Sequence, residues 1–195
     1  MFYPHVTTIC ASKYFDAKQM RQLHEKGVIH VGENRVQDML KKMDDLNDLK
    51  LTWHFIGHLQ TNKVKDMINK IDVLHTLDRL SLAEQIQKYA THQIPCFIQV
   101  NLTDEPQKSG ISPANLGQFL IEIKKYDKIE IIGLMTMGKD EDDEKTEEAF
   151  HLCDELAKTY NLPYRSMGMS NDYEIALKCH TTHLRLGRKF MDLLD

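Results

Sequence analysis

The sequence lacks the features that mark several common functions. Its four cysteines, Cys10, Cys96, Cys153 and Cys179, form no C-x-x-C pair. That excludes a zinc ribbon or a thioredoxin-type redox motif and predicts buried, reduced thiols. There is no surplus of positive charge: 25 basic side chains stand against 29 acidic ones, a net charge of −4. The broad basic footprint of a nucleic-acid-binding surface is therefore missing. No apolar run approaches the ~18 residues of a membrane span. Met1-Phe2-Tyr3-Pro4-His5 has neither the charged nor the long apolar segment of a secretory leader. Together these absences predict a cytoplasmic protein with no membrane and no nucleic-acid partner. His54 and His58 do not form H-E-x-x-H, and the acidic stretch 138–144 lacks the glycine and glutamate offsets of an EF-hand. No metal is predicted from either.

What the chain does contain is alternation. Strands are predicted over 6–11, 28–31, 51–56, 72–75, 94–100, 129–134, 164–167 and 182–186. Helical spacing fills the intervals 17–26, 37–43, 61–69 and 82–89. It continues from Pro113 onward, from the acidic stretch 140–144 to Tyr160, and over 172–178. Ser112-Pro113 reads as an N-cap and first helical position. The carboxylates of 140–144 suit a helix N-terminus. Eight strands, seven of them followed by a helix, predict a single-domain α/β fold over 1–195, a closed (β/α)8 TIM barrel. The alternative is an open doubly wound sheet. Neither G-x-G-x-x-G nor G-x-x-x-x-G-K-[ST] follows its first strand to support it.

In such a barrel, function gathers at the C-terminal ends of the strands. Lys13 ends the first strand with no acidic neighbour in sequence, so partial desolvation there would favour the neutral amine that attacks an aldehyde. Position alone reads more simply as a surface lysine. The last two strand ends strengthen the functional reading. Ser170 can donate a hydroxyl, Gly187 lets backbone N–H groups approach an anion, and Arg185 and Arg188 add charge. Asn171 and Asp172 stand where they could cap the short helix that follows. A lysine facing a phosphate cradle fits a phosphorylated aldehyde.

Several segments in order carry a family resemblance. They are Ala11-Ser12-Lys13, Gly32-Glu33-Asn34-Arg35-Val36-Gln37, the stretch from Trp53 to Lys63, Lys108-Ser109-Gly110, Gly133-Leu134-Met135-Thr136-Met137 and Ser166-Met167-Gly168-Met169-Ser170. The chain resembles the YggS/PROSC family of pyridoxal phosphate homeostasis proteins, nearly end to end. The resemblance implies an alanine racemase N-terminal-domain-like barrel (PLP fold type III) with pyridoxal 5′-phosphate (PLP) as cofactor. It implies that Lys13 carries PLP as a Schiff base and that Asn34 and His54 line the cofactor pocket. Met169 and Ser170 would lie beside the ring and phosphate, with Arg185 and Gly187 completing the site. Two departures stand out: the family's usual helical segment before the first strand is not seen, and Arg188 stands where the family has a small hydroxyl residue. Arg188 could itself pair with the phosphate.

The function so implied is intracellular PLP homeostasis and carriage, with apo PLP-dependent enzymes as partners, in a monomer or weak dimer without robust catalytic activity. The alternative is a fold type III amino-acid racemase. Racemisation needs acid/base groups on both faces of the substrate adduct. Lys13 can serve one face, and for the other the sequence offers only Tyr14.

Overall fold

The computed structural model describes residues 3–103, 105 and 108–194. Eight strands run in sequence order: β1 (Thr7–Ala11), β2 (His30–Glu33), β3 (Thr52–Phe55), β4 (Val73–Leu77), β5 (Ile94–Gln99), β6 (Ile129–Met135), β7 (Tyr164–Ser166) and β8 (His183–Leu186). Each pairs in parallel with the next, and β8 pairs with β1 from Thr7↔His183 to Cys10↔Leu186, closing the barrel. Among the described residues seven α-helices surround it: α1 (Ala17–Glu25), α2 (Val36–Asp45), α3 (Val64–Met67), α4 (Leu80–Tyr89), α5 (Pro113–Ile123), α6 (Asp143–Thr159) and α7 (Tyr173–Lys178). The predicted TIM barrel is the observed fold.

The helix boundaries have local causes. Asp16 and Gln19 form a reciprocal capping box at α1, with Gln19 N–H donating to Asp16 Oδ1 at 2.8 Å and Asp16 N–H to Gln19 Oε1 at 3.0 Å. Gly27, at φ +90°, then turns the chain out of the helix. Asp142 caps α6 by accepting from Lys145 N–H at 3.0 Å, and Asp143 and Glu144 occupy its first turn. The acidic stretch thus serves a helix terminus, as its composition predicts. Ser112 precedes α5 in extended conformation, but its side chain makes no capping bond.

Most element bounds shift by one or two residues from the sequence reading, and two of the differences are instructive. The second strand begins at His30 rather than residue 28, because Val28 N–H still bonds Leu23 O across the α1 exit turn at 3.0 Å. Residues 61–69 divide into a 3₁₀ turn, Thr61–Lys63, and the short α3.

Outward-facing strand residues such as Val31, Phe55 and Leu74 pack with Met20, Leu23, Met39 and Leu82 of the helices to form the main core. The four cysteines are buried and unpaired within the fold. The barrel interior is of another kind. His30, His54, His75, Phe97, His183 and Tyr164 make successive ring contacts there, with centroids 4.5–5.3 Å apart between neighbours. Barrels of this class more often fill that space with branched aliphatic side chains.

Close approach, rather than φ, explains Gly57. A Cβ there would lie 2.2 Å from the carbonyl oxygen of Asn34. The glycine thereby lets the chain leaving β3 press against the chain leaving β2. Gly57→Ala is expected to destabilise the fold by about 1–3 kcal/mol, the usual range for overpacking. Urea denaturation checks this; an unchanged midpoint would show that the Asn34 backbone moves aside freely.

Candidate functional site

The strand C-terminal ends surround a cavity of about 460 Å³, within the range of small-molecule sites. Lys13, Asn34, Met169, Ser170, Arg185, Gly187 and Arg188 all line it. His54 does not. It lies one layer lower, 2% exposed, bonded to His30 and His75 inside the barrel. Alternation along β3 points His54 and Ile56 to the same side, and Ile56 is the one that reaches the cavity.

Lys13 sits in a 3₁₀ turn, Ser12–Tyr14, directly after β1. The turn is anchored from behind. Ser12 Oγ lies 3.0 Å from Gly32 O and 2.9 Å from Glu33 Oε1, so its proton is shared between two acceptors. Glu33 is fully buried and pairs with the ammonium of Lys42. Lys42 Nζ also donates to Ser12 O at 2.5 Å, and Asn34 N–H donates to Glu33 Oε2 at 3.2 Å. One buried ion pair therefore fixes the backbone on both sides of the gap between Lys13 and Asn34.

The Lys13 side chain is exposed, so the partial desolvation expected at a strand end is not present. Its Nζ lies 5.0 Å from the centroid of the Tyr14 ring, within cation–π range. That ring rests on Gly187, where a Cβ would fall 2.2 Å from Tyr14 Cε2. Gly187 is thus needed for close packing as well as for access to its N–H, which donates to Ser170 Oγ at 3.2 Å. Met169 N–H donates to Asp172 Oδ1 at 2.5 Å. Burial raises the Asp172 carboxyl, against the lowering by the Met169 N–H and by Arg185. Asp172 stands at the N-cap of α7 but makes no side-chain capping bond to it. Arg188 is exposed and donates through Nη2 to Asn171 Oδ1 at 2.9 Å.

Arg185 is the buried cation of the site. It donates through Nη1 to Ser166 Oγ at 2.7 Å and through Nη2 to Thr136 O at 3.1 Å. Both acceptors are neutral, and burial brings the guanidinium down to about 10. Its remaining N–H groups are available to an acceptor in the cavity. The part of the mouth that follows β6 is lined by Asp140, Glu141 and Asp143, with Lys139 among them. His58 lines the mouth as an exposed side chain, its Nδ1 3.7 Å from Asp78 Oδ2. Among the described residues no group of three or more His, Cys, Asp or Glu is arranged to hold a metal.

Sequence reasoning passed over Tyr14 as a packing partner, Lys42, and Ser166 as the support of Arg185. Ser166 had a signal in the alternation that places it beside Arg185 in the barrel. Lys42 had none, since nothing in a helical lysine nine residues after Glu33 marks it as the partner of a buried carboxylate.

The alanine racemase N-terminal domain family matches residues 11–189. A pyridoxal phosphate homeostasis protein of Aquifex aeolicus is 41% identical over 187 residues, covering 91% of this chain and 82% of the relative. The chain belongs to the pyridoxal phosphate homeostasis protein family. Solved structures share the barrel. PipY of Synechococcus elongatus, solved without PLP, superposes with a TM-score of 0.90 at 32% identity, over 97% of this chain and 94% of PipY. The same protein with PLP bound gives 0.87 at 30% identity, over 97% and 93%. Alanine racemase of Clostridium difficile shares the fold alone, with a TM-score of 0.73 at 14% identity. It matches 95% of the homeostasis-family barrel, which spans 52% of the racemase chain.

Two stability predictions follow from these side chains. Lys42→Met leaves the Glu33 charge buried and unpaired, and is expected to cost about 3–5 kcal/mol. Adding Glu33→Gln should recover most of that loss, as a double-mutant cycle by urea denaturation would read. The second concerns acid. Burial first, and then neighbouring histidines, hold His54 and His75 well below the usual imidazole value of 6.5, and burial holds His183 at about 4. In the unfolded chain these rings take up protons below about pH 6.5, whereas the folded rings stay neutral until the lowered values are reached. The unfolded state then binds more protons, so this stability is present above pH 6.5 and lost as pH falls toward 4. Urea midpoints across that window should fall with pH, and less steeply in His183→Gln.

Proposed function

We propose that the cavity binds pyridoxal 5′-phosphate, that Lys13 holds it as a Schiff base, and that the protein serves intracellular PLP homeostasis and carriage. The carrying observation is that an exposed lysine amine shares one cavity with a buried arginine bonded to neutral acceptors and with a serine hydroxyl that the Gly187 N–H holds. These groups suit a ligand with an aldehyde and a phosphate. The Ser170 hydroxyl, which accepts from Gly187 N–H, can donate its own proton to a phosphate oxygen. Arg188 lines the same cavity and has donors beyond the one given to Asn171. Arg185 supplies positive charge from the floor, and Asn34 and Met169 form walls. The PLP-bound state of PipY, a relative of the same fold, supports the reading.

When bound, PLP supplies an aldehyde that condenses with a primary amine. The chain's own part is to present the Lys13 amine at the mouth, hold the phosphate end at the neighbouring ends of β7 and β8, and keep the turn carrying Lys13 fixed through Glu33 and Lys42. Carriage is favoured over racemisation by the placement of Tyr14. It follows Lys13 in the same turn and packs beside its ammonium, on Gly187, rather than across the cavity. A second-face acid/base group is thus not supplied by Tyr14. We further assign all of 1–195 to one PLP-binding domain that acts in the cytoplasm as a monomer or weak dimer and passes PLP to apo enzymes.

Purified protein loaded with PLP is expected to be yellow, with an imine absorbance band that borohydride abolishes and peptide mapping places on Lys13. Lys13→Ala should lose the band. A protein that takes up no PLP would overturn the reading, and sustained D/L interconversion of added alanine in a chiral assay would replace the carrier with a racemase.

A further inference from the structure

Four side chains form an unbroken hydrogen-bonded column through the barrel. His30, half-buried at the first residue of β2, marks its lower end. His30 Nδ1 is 3.0 Å from His54 Nε2, and His54 Nδ1 is 2.9 Å from His75 Nε2. His75 Nδ1 is 2.8 Å from Ser166 Oγ, which accepts from Arg185 Nη1 at 2.7 Å. His54, His75 and Ser166 are buried, so each ring must satisfy its nitrogens within the column.

Counting protons gives the column a direction. A neutral imidazole offers one donor and one acceptor, and a hydroxyl has one proton. Arg185 can only donate, so Ser166 accepts from it. Among the described side chains the hydroxyl proton then has one acceptor, His75 Nδ1. His75 consequently carries its proton on Nε2 and gives it to His54 Nδ1. His54 in turn gives its Nε2 proton to His30 Nδ1. In this arrangement both nitrogens of His54 and of His75 are paired, and all bonds point from Arg185 toward the lower face.

We propose that His75, His54 and His30 are positioning residues for Arg185, joined in one proton-coupled column whose bond direction is set at the pocket and reversed when His30 is protonated. Its bearing on ligand binding rests on the reading that Arg185 faces bound PLP. A second proton on His30 occupies Nδ1, so His54 must accept at Nε2 and donate from Nδ1. His75 follows, and Ser166 then receives from both His75 and Arg185. The change adds one proton in total. The added proton comes from solvent at half-buried His30; His54 and His75 each exchange an Nε2 proton for one on Nδ1, and Ser166 keeps its own. The hydroxyl must then turn its proton away from His75, which alters the acceptor that holds Arg185.

The surroundings set how readily this happens. His30 faces His54 from β3, His183 from β8 and the Asp72 carboxylate ahead of β4, with Asp72 opposing the effect of burial. His54 faces His30, His75 and His183. His75 stacks on Phe97 of β5 and faces His54, His183 and Arg185. Arg185 faces Asp172. His30 is thus the member with both partial exposure and a carboxylate nearby, and the others sit among neutral rings and a cation.

The test uses the full-length protein without PLP, labelled with ¹⁵N-histidine. Long-range ¹H–¹⁵N spectra report which nitrogen of each ring bears the proton. At neutral pH, His54 and His75 are expected as Nε2–H forms. On acidification, both should convert to Nδ1–H forms at the midpoint at which His30 becomes doubly protonated, and the Arg185 Nε–H resonance should shift there too. His30→Gln keeps an acceptor for His54 but takes up no proton, so the conversion should be lost. Ser166→Ala removes the leading donor and should let His75 populate Nδ1–H at neutral pH. Nδ1–H forms in the wild type at neutral pH, or a His30 titration that leaves both rings unchanged, would overturn the proposal. PLP affinity followed over the same pH range should change at that midpoint in the wild type and not in His30→Gln. Failure to bind PLP at all would refute the functional reading while leaving the tautomer result to stand or fall alone.

Discussion

The site depends on one buried ion pair. Glu33 and Lys42 meet behind the upper ends of β1 and β2, where the two strands share only the pairs Cys10↔Val31 and Ala11↔Gly32. With so short a ladder, backbone pairing alone does little to fix the turns that follow. The carboxylate takes Ser12 Oγ and Asn34 N–H, and the ammonium takes Ser12 O. Every remaining lone pair of consequence is thereby occupied, which is the condition under which a buried pair compensates for its desolvation. Specific geometry at Lys13 and Asn34 is what the pair supplies.

The barrel interior works by a related rule. A histidine-lined interior demands that each ring find a partner, and the partners lie at fixed heights on successive strands. The column therefore ties β2, β3, β4 and β7 together by polar bonds where aliphatic packing would be tolerant of small slips. The same stack supports Arg185 from below through Ser166. The pocket floor and the lower barrel are in this sense one structure, with the aliphatic core lying outside it, between strands and helices.

Alternation of short apolar runs with helical spacing carried the architecture, because each βα unit must hide one face of a strand and one stripe of a helix. All eight strands were legible for that reason. The shift of β2 by two residues was not, since Val28 and Ile29 look like strand residues, although one belongs to the α1 exit and Ile29 is exposed. Among the site residues, Lys13, Ser170, Arg185 and Gly187 announced themselves by chemistry at strand ends. His54 shows the limit of that reasoning. A strand pattern tells which face a side chain takes, while its height within a barrel depends on register with neighbours, here His54↔Val73 and Gly32↔His54. Lys42 and Tyr14 were illegible for another reason: their roles arise from contacts made in three dimensions by residue types common on surfaces.

Charges of both signs line the mouth, unevenly distributed. Lys13, Arg185 and Arg188 lie on the arc formed by β1 and β8, and Asp140, Glu141 and Asp143 outnumber Lys139 on the arc between β6 and α6. The opening therefore has an electric dipole lying across it. A small anion with one charged end, arriving from solvent, experiences a torque before it experiences contact, because one arc repels what the other attracts. Capture in the correct orientation then begins outside the cavity. Dissolved salt shortens the distance over which that turning acts, with a Debye length of about 8 Å at physiological ionic strength. Entry is thus sensitive to ionic strength through orientation as well as through encounter, even though the chain as a whole carries a net charge of −4.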